Sequence, residues 1–229
     1  MERERAVDPS VIPMPGRAGS VDLLGGALCL DFANTVEPRV EPRGDGRRRE
    51  YLTGYADVVA WGWHAGALTD AEARQLRVEA TRRPDDAAAT FAAALALRET
   101  IYRIFLTIAR RADPDAADID TLSAAFADAM AHTRIVRRDA GFAVAWSTDE
   151  ESLARPLWPI ARSAVDLLTD GDPTRIKDCP TGGEGCGWLF YDTSKNNSRR
   201  WCSMRGCGVP AKERRRAERR GARVASLRA

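Results

Sequence analysis

Apolar residues recur at helical spacing through most of the first two thirds of the chain, and each repeat predicts an element. Residues 56–65 (ADVVAWGWHA) and 70–82 (DAEARQLRVEATR) read as amphipathic helices. The second is opened by Thr69 with Glu72 three residues on, the spacing at which a hydroxyl and a carboxylate can satisfy each other's backbone N–H groups. Residues 86–111 predict a long helix with Leu95, Ile101, Phe105 and Ile108 among its apolar positions, and residues 118–132 another. The period then drops to two. RIVRRD and FAVAWS flank an Ala-Gly turn at 140–141 and predict a β-hairpin. A last helix over 157–169 runs into Gly-Asp-Pro at 171–173, a linker signal that marks a boundary.

Beyond the boundary the pattern changes character. WLFYD (188–192) reads as a short strand and KNNS (195–198) as a turn, after which residues 199–202 are expected to return as the second strand. Pro210 suits the first turn of a closing helix. The expected fold is α+β: a mainly helical N-terminal domain with a small β-hairpin over residues 20–170, then a treble-clef-like zinc finger, hairpin plus helix, over 175–223. Residues 1–19 are expected to be unstructured, and the charged loop 37–50 is either a mobile flap or disordered.

Charge sharpens the division. The whole chain carries +2, but from Lys195 onward twelve Lys/Arg face two Glu, a net of +10, which leaves −8 on the preceding 194 residues. An acidic body with a basic end fits a module for nucleic acid or another anionic surface, unless the end is simply a solvated tail. No stretch approaches the ~20 apolar residues of a membrane span, and the N-terminus lacks a secretion pattern. The protein is therefore expected to be soluble and cytoplasmic, with no membrane partner.

Cysteine spacing argues against a mere tail. Four of the five cysteines, Cys179, Cys186, Cys202 and Cys207, form two pairs in the pattern C-x6-C-x15-C-x4-C. Two pairs separated by a hairpin's length are what a closed four-thiolate Zn²⁺ site requires. Disulfides are the rival, disfavoured in a reducing compartment. Cys29 lies in the apolar run GGALCLDF and reads as a small buried hydrophobe. On the closing helix, Lys212, Arg216, Arg219 and Arg223 fall within roughly 40° of one line at ~100° per residue, with Arg215 and Arg220 flanking. Such a stripe meets phosphates through counterion release, and Arg199 and Arg200 join it as candidate nucleic-acid contacts.

In the body, Asp31, Asn34, Thr35 and Arg39 follow an apolar run and are candidates for holding a small polar effector; the alternative is that they satisfy backbone groups of a helix end or turn. Trp61, Trp63, Tyr51 and Tyr55 either line a cavity or fill a core. The sequence has no Gly-rich phosphate loop, no G-x-S-x-G, no H-E-x-x-H and only two histidines, so no enzymatic activity is expected.

The block CGWLFYDTSKNNSRRWCSMRGCG (186–208) resembles the C-terminal zinc finger of bacterial proteins named for a Cys-Gly-Asn-Arg motif, departing from it where Val209 and Pro210 replace Asn and Arg. LLGGALCLDFANTVEPR (23–39) resembles the opening of the ABATE domain that precedes such fingers. The resemblance implies a stress-induced transcription regulator. Its expected partners are double-stranded DNA and a small-molecule effector, with a homodimer in keeping with many DNA readers. The alternatives are a zinc-stabilised module for RNA or protein, and a small-molecule binding protein with a structural finger.

Overall fold

A computed structural model describes residues 17–39, 48–147, 152–180 and 186–226, the last six as backbone only. The predicted helices are present: α2 (Tyr55–His64), α3 (Asp70–Arg82), α4 (Pro84–Ala109), α5 (Ala116–Ala131) and α6 (Leu157–Asp170). Thr69 and Glu72 close the reciprocal cap on α3, with the hydroxyl accepting from Glu72 N and the carboxylate from Thr69 N. Pro84 begins α4, where its missing N–H costs nothing because a first-turn donor has no helical partner.

A six-residue helix, α1 (Leu28–Ala33), precedes them, and every residue from Cys29 to Ala33 in it is buried. It packs on α4, on α6 and on a strand of the C-terminal region. The antiparallel pairs are β1 (Val36–Glu37) with β2 (Arg49–Glu50), β3 (Thr133–Arg138) with β4 (Gly141–Trp146), and β5 (Ile176–Asp178) with β6 (Leu189–Tyr191). The chain closes with α7 (Val209–Ser226).

One apolar core runs through both halves. It joins Leu30, Phe32, Trp61, Ile101, Phe105 and Trp158 to Ile176, Trp188, Leu189 and Phe190. The aromatic candidates fill cores: Trp61 is fully buried in this one with its ring 5.0 Å from that of Phe32, and Tyr55 is buried in a second, smaller cluster with Val59, Leu68 and Leu76, where it donates to Leu153 O.

Two expectations are corrected. Residues 17–19, expected to be unstructured, belong to a 3-10 turn (Arg17–Ser20) whose Ala18 is fully buried in the core; residues 1–16 and the loop residues 40–47 lie outside the described residues. Residues 199–202 are not a strand. The strand partner of Leu189–Tyr191 is Ile176–Asp178 instead, because the Asp192 carboxylate takes the Arg199 N–H that a ladder would have used.

Candidate metal centre

Pairing β5 with β6 puts Cys179 just after one strand and Cys186 just before the other. Cys179 N donates to Trp188 O at 2.8 Å and so continues the ladder. Gly187 takes φ +63°, a left-handed conformation that a side chain would strain, and thereby turns the chain sharply after Cys186. The second pair comes from a different device. Cys202 ends the irregular return, and Cys207 sits in a π-helical turn, Met204–Gly208, capped by Ser203 Oγ accepting from Gly206 N at 3.1 Å.

These devices bring the four Sγ atoms within 4.8 Å of one another, with Cys186–Cys202 at 3.4 Å and Cys202–Cys207 at 3.5 Å. Zinc–sulfur bonds of ~2.3 Å in a tetrahedron space the sulfurs by ~3.8 Å, so the donor set fits Zn²⁺. The thiols also decide one another's protonation. Contact with Cys179, then with Cys186 and Cys202, holds Cys207 far below the usual thiol range, while Cys179 and the other neighbours push Cys186 well above it. A divalent cation is what lets four adjacent sulfurs lose their protons together. Four thiolates complete its shell and leave no position for water, so the chemistry supplied is structural.

Around the centre the chain braces itself. Asp192 is fully buried. Its carboxylate accepts from Lys177 Nζ at 2.6 Å, Ser194 N at 2.8 Å and Arg199 N at 2.8 Å. Burial opposes its ionisation, but these bonds outweigh it and hold the carboxyl well below the usual range. Its only signal in the sequence is an Asp two residues before Ser at a strand end, the pattern of an Asx-turn.

Arg199, a candidate nucleic-acid contact, is half-buried, lines the same groove as Arg200 and is braced by the chain. It lies over the Phe190 ring at 4.5 Å and donates to Leu24 O, Trp201 O and Cys202 O. Arg200, Lys212, Arg215, Arg216, Arg219 and Arg220 are exposed, and the side chain of Arg223 lies outside the described residues. Arg200, Lys212 and Arg215 line a groove of about 410 Å³ with Trp201, Ser203 and Met204.

The four effector candidates are spent on the chain itself. Asn34 is fully buried and clasps Leu189, its Nδ2 donating to Leu189 O and its Oδ1 accepting from Leu189 N, both at 2.9 Å. Asp31 accepts from Gly25 N at 2.6 Å, and burial pushes its carboxyl up to about 6. Thr35 Oγ1 donates to Phe32 O at 2.8 Å. Arg39 donates to Ala33 O and to Glu99 and lies 4.2 Å over the Tyr102 ring, while its backbone N–H donates to Cys186 O. Asn34 and Arg39 bind the helical body to the strand and turn of the metal centre, while Asp31 and Thr35 brace α1 itself.

Two family models match the sequence. Residues 26–171 match ABATE, described as "putative stress-induced transcription regulator". The chain belongs to the ABATE family. Residues 175–220 match the CGNR zinc finger, so the clustered thiols are those of a zinc site. No curated protein matches the chain at a significant level. Among the described residues no helix is long and apolar enough to cross a membrane.

Proposed function

We propose that this ABATE–CGNR chain is a transcription regulator that grips double-stranded DNA with the groove beside its zinc centre and with α7. The observation that carries the reading is the excess of positive charge: Arg199, Arg200, Lys212 and Arg215 line the groove without an acid among its lining residues, and α7 beyond it carries only Glu213 and Glu218 against its arginines. Arg216, Arg219 and Arg220 continue it along α7. A concave, cationic surface on a metal-braced frame suits a phosphate backbone.

The test is duplex binding as salt is varied. Six phosphate contacts predict a slope of log K against log salt of about −5. Undetectable binding, or binding indifferent to salt, sinks the proposal. A second reading, RNA or single-stranded nucleic acid, is favoured by half-buried Trp201, an aromatic residue that lines the same groove as the cations. Stacking on an aromatic is how unpaired bases are held. Preferential displacement of duplex by single strand would select it.

The protein is proposed to bind and not to catalyse, since four thiolates fill the coordination of the zinc. An effector, if it acts on the helical body, is proposed to act through α1: whatever repacks Asn34 also moves Leu189 and the strand that presents Cys186.

A further inference from the structure

The β3–β4 hairpin is anchored at its base and open at its tip. At the base, the Trp146 ring is tilted 6.0 Å from that of Trp158, while His132 stacks on Trp158 at 4.2 Å. Further out, Ile135, Phe142 and Val144 are 77%, 74% and 59% exposed. Cross-strand register places Ile135 opposite Val144, so these side chains share one face of the ribbon with Phe142. Three large apolar side chains grouped on a protruding arm are more than the scattered surface residues of a monomer.

The backbone adds a second observation. Ser147 N donates to His132 O at 2.7 Å, which fixes the phase of the ladder. Counting pairs from there, Ala145, Ala143 and Gly141 exchange bonds with β3, while Trp146, Val144 and Phe142 aim their N–H and C=O groups at the outer edge of β4. The sheet has two strands, and among the described residues no backbone bond from these three reaches another element.

Charge decides which edge is available. β3 carries Arg134, Arg137 and Arg138, the residues that ordinarily guard an edge, whereas β4 (GFAVAW) carries no charge at all. Pairing two copies through β3 would set arginines against arginines. Pairing through β4 leaves the two β3 strands three spacings apart, about 14 Å, beyond the screening length of ~8 Å at physiological ionic strength.

We infer that the protein self-associates as a two-fold dimer through the outer edge of β4, antiparallel about Val144, forming a four-stranded sheet. In this register Val144 of one copy lies beside Val144 of the other, and Phe142 lies beside Trp146. Each outward N–H meets an outward C=O, and Ile135, Phe142 and Val144 of the two ribbons come onto one continuous face, which Arg137, lying 5.9 Å over the Phe142 ring, borders. Both edges are the same surface, so the contact closes on itself and does not propagate. An edge of this size is smaller than the ~800 Å² per partner of a standard interface. Association is therefore expected in the micromolar range.

Sedimentation equilibrium of the full, zinc-loaded chain tests this over a concentration series reaching tens of micromolar. The wild type should rise from one to two chain masses. Val144→Lys places a charge on the exposed face, and Val144→Pro removes an outward donor that the β3 ladder does not use. Both should hold the protein at one chain mass, with unchanged zinc content and helical circular dichroism. A wild type that stays monomeric throughout overturns the inference, including the case in which the variants instead weaken nucleic-acid binding. So does undiminished dimerisation of Val144→Lys. None of these outcomes depends on whether α7 binds DNA.

Discussion

At the scale of single residues, Asn34 and Asp31 show how a short polar motif serves an interior. Both Asn34 bonds end on the Leu189 backbone, 155 residues away in sequence. Asn34→Ala leaves a buried N–H and C=O without partners and should cost about 3 kcal/mol in denaturant unfolding of the zinc-loaded chain. A loss under half that would show that the clasp is replaced locally. Asp31 carries a pH signature of the opposite sense to most carboxylates. Burial raises its pKa from 3.8 to about 6, so the folded state holds its proton more tightly than the unfolded state. That contribution is fully present below about pH 4 and is lost as pH rises through 6. Asp31→Asn keeps an oxygen for Gly25 N and removes the charge, so it should flatten this part of the pH profile and add about 2 kcal/mol at neutral pH. Melting curves at pH 4, 5, 6 and 7 give the comparison.

At the scale of elements, the C-terminal region was read correctly in its order and wrongly in its strand pairing. The strand at 188–192 and the turn after it were legible from aromatic and Asn-rich composition. The partner strand was not, because Ile176–Asp178 is only three residues long and Arg199, the first residue of the expected strand, has its N–H taken by a carboxylate. The turn that presents Cys207 has its own constraint. A Cβ on Gly208 would lie 2.7 Å from Met204 Sδ and 3.1 Å from Trp201 Cδ1. Met204 is half exposed and can swing away, so Gly208→Ala should keep its zinc and lose only about 1 kcal/mol. The same movement reshapes the groove. Nucleic-acid affinity should therefore fall more than stability does, which a binding isotherm and a melt on the same sample will separate. At the head of α7, exposed Val209 and half-buried Pro210 stand where the family motif has Asn and Arg. Neither side chain offers a donor, so the cations of this helix lie along its sides and not at its tip.

At the scale of the whole molecule, the metal centre and the helical body share a core and do not behave as beads on a string. Cys179 and Cys202 lie in the same apolar cluster as Leu30 and Ile101. Tyr102 on α4 donates to Gly187 O at 2.9 Å, and Trp188 Nε1 donates to Val36 O at 3.0 Å. Chelation of zinc should consequently lower the melting temperature of the whole chain in one transition. A body that melts unchanged while the C-terminal signal alone disappears would contradict this. Metal analysis of the reduced protein should return one zinc per chain, and Cys186→Ser should reduce both the metal content and the shared transition.

The sequence by itself determined helices α2 to α7, the β3–β4 hairpin, the four zinc ligands and the separation of charge, but not the short buried α1. Each rests on short-range regularity: a period of 3.6 or 2, a capping pair, a cysteine spacing, a local run of arginines. Only the tertiary structure decided that Asn34 and Arg39 hold the zinc region to α1, that Arg199 bonds to Leu24, Trp201 and Cys202, and that β5 pairs with β6. Those outcomes depend on which backbone groups, far apart in the chain, are buried together and must find partners there. Periodicity records which face of an element is apolar; it carries no record of the groups that face will meet.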